Sequence, residues 1–86
     1  MSKTPKIEYY LKDGKIETFP SKRKKIIIVL EYLITKFEMN KKYAEKEINE
    51  ILNNNHLFDN PLLLRRELID NKYLSRTSDG KAYWRI

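Results

Sequence analysis

The chain has two glycines, and each follows an aspartate, at Asp13-Gly14 and Asp79-Gly80. Asp-Gly between β-prone segments marks a tight hairpin turn, because both central positions must accept a positive φ. The first turn has Ile7-Glu8-Tyr9-Tyr10-Leu11 before it and Ile16-Glu17-Thr18-Phe19 after it. Pro20 ends that second segment, since proline has no N–H for a ladder. The other turn, Ser78-Asp79-Gly80, joins Tyr73-Leu74-Ser75-Arg76 to Ala82-Tyr83-Trp84-Arg85-Ile86. Two short hairpins therefore bracket whatever the middle of the chain forms.

That middle is helical by its periodicity. Ser21 is the expected N-cap of a helix reaching Phe37. Within it Ile26, Val29, Leu30, Leu33, Ile34 and Phe37 form one apolar stripe. Ile28 and Tyr32 fall on the opposite face and need a cover, the first hairpin before a dimer partner. Glu38 to Lys42 reads as a polar connection. A second helix is expected from about Ala44 to Asn53, with Ala44, Ile48, Ile51 and Leu52 on one face. Asn53-Asn54-Asn55 ends it. Asp59 or Asn60 caps a third helix, Pro61 suits its first turn, and Asn71 its C-terminus.

The expected class is α+β, as one domain over residues 1–86. It comprises an N-terminal hairpin in 1–20, a three-helix core in 21–72 and a short two-stranded wing in 73–86. Three helices followed by a two-stranded ribbon is the order of a winged helix-turn-helix, with the third helix in the recognition position.

Composition narrows the chemistry. Hydrophobic residues make up 41% of the 86, enough for a core. The longest apolar run, Ile26 to Leu30, is five residues, against the ~20 a membrane span needs. Ser2 to Lys6 is polar and no signal-peptide core follows, so a cytoplasmic location is expected. With no cysteine, one histidine and both glycines in turns, disulfides, thiolate nucleophiles, His-rich metal sites and phosphate-cradling glycine loops are excluded. His56, after three asparagines, reads as a surface loop residue. Glu45, Glu47 and Glu50 read as a solvated helix face rather than an acid–base pair. The expectation is a binding module with no catalytic residue, metal, cofactor or small-molecule substrate.

The net charge is +6, concentrated toward the two ends of the sequence. Nucleic acid is the usual partner of such a surface, although thirteen of the eighteen basic residues are lysine, which genome base composition alone can produce. The densest run, Lys22-Arg23-Lys24-Lys25, opens the first helix, where cations oppose the helix dipole and a phosphate partner would explain them. On the third helix Arg65 falls within the apolar arc and must find a carboxylate, Glu45 or Glu47. Arg66 lies outside that arc, free to meet a phosphate or base edge, or to pair with Asp70 one turn on. Among the wing cations Lys72, Arg76, Lys81 and Arg85, Lys81 at the turn is the best phosphate candidate, since alternate strand residues face opposite sides. Tyr83 and Trp84 must also face opposite sides. Core packing is expected for Trp84, with base stacking the lesser alternative. Leu62 and Leu63 open the third helix with an apolar surface, which disfavours base reading and favours a protein contact.

Several of these segments form an ordered set: Phe19-Pro20, Lys24-Lys25, Tyr43-Ala44-Glu45-Lys46-Glu47-Ile48-Asn49, Leu64-Arg65-Arg66, and Asp79-Gly80 followed by Tyr83-Trp84-Arg85. The set closely resembles the bacterial domain of unknown function 2087 family over about residues 11 to 86. The resemblance implies a small winged-helix domain, in some members joined to other helix-turn-helix regulators, with a role in transcriptional regulation. One departure is Ala44, where the family commonly has Thr or Ser. The lost cap costs ~1 kcal/mol, while Glu47 still favours the helix start by its charge.

Two functions follow as expectations. The first is a transcriptional regulator that binds double-stranded DNA, mainly electrostatically, through Lys22, Arg23, Lys24, Lys25, Arg66 and Lys81, with a homodimer reading two half-sites as the expected form. The alternative is a protein-interaction module without direct DNA contact, docking through Ile28, Tyr32, Leu62 and Leu63.

Overall fold

A computed structural model describes residues 7–86. It is a mixed α+β fold of three helices and two antiparallel sheets, an arrangement compatible with a winged helix. No helix among the described residues is long and apolar enough to cross a membrane.

The first hairpin is shorter than its sequence suggests. β1 (Leu11–Lys12) pairs with β2 (Lys15–Ile16) through Leu11↔Ile16 and Lys12↔Lys15. Asp13 and Gly14 take positive φ of 53° and 79° between them, as a two-residue turn of the type I′ class requires. Ile7–Tyr10 is a 3-10 turn instead of a strand. A strand would send Ile7 and Tyr10 to opposite faces, whereas a 3-10 turn eclipses residues three apart. Both then rest on the core. Ile16 directs its remaining backbone groups elsewhere: its N–H donates to Asn55 O (2.9 Å) and its carbonyl accepts from Leu57 N (2.9 Å).

α1 spans Arg23–Ile34 and buries the expected stripe of Ile26, Val29, Leu30, Leu33 and Ile34. Its N-cap is Lys22, with no side-chain cap bond; Ser21, the expected cap, lies one residue outside. The helix is held by burial rather than by its start. Beyond Ile34 the N–H groups of Thr35, Lys36 and Phe37 bond three residues back, tightening the end and delivering Phe37 to the core. The hairpin covers the second face of α1, as Tyr32 donates its hydroxyl to Gly14 O at 2.7 Å.

The stretch expected to be a plain connection contains β3 (Lys42–Tyr43), which leads into α2 (Glu45–Asn53). α3 runs Pro61–Asp70, with the Asn60 side chain accepting from Leu63 N at 3.2 Å. A Schellman arrangement closes it, with Tyr73 N bonded to Leu68 O and Lys72 N to Ile69 O. Asn71 is the C-cap, and Lys72 is the left-handed residue at φ 65°. β4 (Leu74–Arg76) and β5 (Tyr83–Arg85) follow.

The larger sheet has the order β3-β5-β4, so the C-terminal hairpin expected to be two-stranded belongs to a three-stranded sheet whose last strand is central. Tyr43 explains the extra strand. Its ring meets Phe37 edge-on at 5.4 Å, and its hydroxyl accepts from Glu38 N. This buried anchor aligns two residues with Trp84 and Tyr83. One core joins Ile16, the α1 stripe, Ile48 and Leu52 of α2, Leu64 and Leu68 of α3, and Leu74 and Tyr83 of the sheet.

Candidate functional site

The third helix carries a contact along each flank. On one, Arg23 at the start of α1 donates to Asn71 Oδ1 (3.1 Å) and pairs with Glu67 Oε1 at 3.6 Å. Asn71 is fixed in turn by bonds from its amide to Glu67 O and Oε1. Arg23 is thus partly engaged within the chain, while 64% of its side chain stays exposed. The contact ties the start of α1 to α3; in the rest of the basic run Lys22 and Lys24 are exposed, and Lys25 is half-buried.

On the other flank Arg65 is largely buried. It pairs with Glu45 Oε1 at 3.2 Å, donates to Asn49 Oδ1 at 2.8 Å, and lies over the Tyr83 ring at 5.9 Å. The partner is Glu45 and not Glu47. Glu47 is used at the start of its own helix, where Oε1 accepts from Ala44 N at 2.8 Å. That bond is half of a capping box; Ala44 has no side-chain oxygen to supply the other half.

Between α3 and the β4–β5 turn lies an open groove of about 580 Å³. Arg65, Arg66 and Arg76 line it together with Glu45, Asp70 and Asp79, so its charge is balanced. Arg66 is well exposed, and its Nε lies 3.7 Å from Asp70 Oδ2, a surface pair of little strength. At the turn Asp79 accepts from Thr77 Oγ1 (2.6 Å) and from Lys81 N (3.0 Å). These bonds, the Thr77 hydroxyl first, hold its carboxyl below the ordinary 3.8 and keep an anion at the tip. Lys81 projects from the same turn, exposed. Gly80 at φ 73° completes it, where a side chain would be strained.

The apolar candidates divide. Leu62 is 60% exposed on the first turn of α3, while Leu63 and Ile28 are half-buried. Tyr32 is half-buried and tied to the first hairpin through Gly14.

Two expectations fail. His56 is buried, not a surface residue. Its Nε2 accepts from Asn60 N at 2.8 Å, which places the proton on Nδ1, the nitrogen that donates to Leu52 O. Its ring also meets Phe58 edge-on at 4.6 Å. Sequence carries no sign of this, because both polar partners are backbone groups. Trp84, expected in the core, is half-exposed, and Tyr83 is the buried aromatic of β5. Among the described residues no group of three or more His, Cys, Asp or Glu is placed to hold a metal ion.

No curated protein and no solved structure matches the chain. A family model described as an uncharacterized protein conserved in bacteria, DUF2087, matches residues 15–85, from β2 to the end of β5. The matched span holds the Arg65–Glu45 pair, the Asp-Gly turn between β4 and β5 and all three helices, and the chain belongs to this family.

Proposed function

We propose that the chain is a winged-helix domain that binds duplex DNA through phosphate contacts and serves as a transcriptional regulator. The observation carrying this reading is the docking of Arg23 on Glu67 and Asn71. It ties the start of α1, where Lys22 and Lys24 are exposed, to α3, the helix that enters the groove in such domains. Lys81 at the turn supplies a second cationic point on the wing. The groove between α3 and the wing turn is charge-balanced, so the attraction is assigned chiefly to the exposed lysines outside it and not to Arg66. Contacts of this kind position a protein on any duplex and carry little sequence information. One module offers few contacts, so a homodimer on two half-sites is part of the proposal.

Anisotropy of a labelled random-sequence duplex, between about 50 and 200 mM salt, tests the reading. Lys22→Ala with Lys24→Ala is expected to weaken binding on every sequence and to flatten the salt slope by roughly 1.8, at ~0.9 per lost phosphate contact. Unchanged affinity and slope would overturn it. The exposed Leu62 supports the second reading, a protein partner docked on α3. Leu62→Asp would then abolish association with that partner and leave duplex binding intact.

A further inference from the structure

The pairing Tyr43↔Tyr83 is followed in register by Lys42↔Trp84, and that by Ser75 across β5 from β4. Successive residues of a strand face opposite sides. Tyr43 and Tyr83 are buried, so Trp84 faces outward with Lys42 directly across from it, at the separation where cross-strand side chains touch. Together with Asn40, Lys41 and Arg85 these residues line a second open groove of about 380 Å³.

This lining differs from that of the α3 groove in one decisive respect. It contains three cations and no carboxylate. Lys41 is steadied by Glu38 at 3.6 Å and by the Tyr43 ring at 5.0 Å. Arg85 is anchored by one bond from its guanidinium to Phe37 O, at 3.2 Å, and a guanidinium has five donors. Charge complementarity selects an anion. An outward indole on the same surface selects an anion that also carries a flat ring. Duplex DNA does not suit it, because its bases are already stacked inside the helix.

We propose that the groove along the β3 edge of the β3–β5 pair binds a single-stranded polynucleotide, one base stacking on the outward Trp84 and the flanking phosphates meeting Lys42 beside it and Lys41 and Arg85 at the groove's rim. Asn40, at the rim with φ 60°, carries the amide that can reach a base edge. This platform shares no residue with the surface proposed for duplex DNA, so the two stand or fall separately. Single-strand sites elsewhere combine a cationic track with stacked aromatics in the same way, and tolerate any sequence because every base has a π-face.

Trp84 is the only tryptophan, so its emission reports the site directly. The whole chain is titrated with an oligodeoxythymidine of about 15 nucleotides, with oligouridine of equal length and with polyglutamate, near 50 mM salt. Saturable quenching by either oligonucleotide, and not by polyglutamate, is expected, the stronger of the two naming the natural strand. Lys41→Ala with Lys42→Ala should flatten the salt slope by roughly 1.4, at ~0.7 per single-strand phosphate. Trp84→Ala, followed by anisotropy of labelled oligonucleotide, should weaken binding by about 5- to 150-fold. The double lysine variant keeps the test decisive if Trp84→Ala fails to fold. Absence of quenching, equal quenching by polyglutamate, or an unchanged slope in the double lysine variant would each overturn the proposal. So would a loss of oligonucleotide binding in the Lys22→Ala, Lys24→Ala variant as large as in the Lys41→Ala, Lys42→Ala variant.

Discussion

His56 spends both ring nitrogens on the backbone, tying the last turn of α2 to the residue that caps α3. Its replacement by Ala leaves Asn60 N without its partner, removes one of the two bonds to Leu52 O, which keeps that from Asn55 N, and opens a void beside Phe58. The orphaned N–H costs about 1–3 kcal/mol and the void left by a buried ring adds to it, so urea unfolding of His56→Ala should show a loss of about 2–4 kcal/mol. Leu57→Ala, next to it but exposed, should stay within about 0.5–1 kcal/mol of the parent. A tolerated His56→Ala would mean that water replaces the ring. Arg65 is the opposite case at the same scale. Its place inside an apolar arc announced a buried guanidinium, and the acidic residues on α2 offered the partner. Periodicity reveals a charge on the wrong face of a helix; it is silent about a loop histidine whose partners are main-chain atoms.

Element by element, the helices were the readable part. Each carries enough turns for its apolar spacing to repeat, and Asn60-Pro61 marks the start of α3 in the sequence itself. β3 has two residues and no alternation to detect, and only the distant Tyr83 and Trp84 give it a ladder. The 3-10 turn at Ile7–Tyr10 hid behind β-prone residue types, because what decides it is that two side chains three apart share the core. The basic groove around Trp84 was out of reach for the same reason, as it depends on which partner β5 finds. The start of α2 supplies a test at this scale. Ala44 already has the extended backbone of an N-cap, at φ −75° and ψ 157°, and Glu47 already returns its half of the box. Ala44→Ser should supply the missing acceptor and stabilise the chain by about 0.5–2 kcal/mol. A rise in Tm of several degrees would register it, at ~4–8 °C per kcal/mol for a domain this small. An unchanged Tm would show that water caps that N–H equally well.

At the scale of the molecule, the first hairpin is a working part of the core and not an appendage. Ile16 is fully buried, and its backbone bonds join residues 55 to 57 as a parallel bridge. Ile16→Ala should cost about 2–5 kcal/mol in one cooperative transition, with hairpin and helices lost together in denaturant. Separate transitions by hairpin and helix probes would show two independent units. The sheet has a related consequence for how the chain is made. Its central strand, β5, is the last element in chain order, and both neighbours wait for it. While a ribosome is still adding residues 83–85, β3 and β4 have no ladder to join, although all three helices have already been synthesised. Synthesis proceeds from the N-terminus, so the sheet closes only after its last strand is made. A truncation of only the last strand would leave two exposed edges and the face of Tyr43 uncovered, a species that quality control would meet before any partner did.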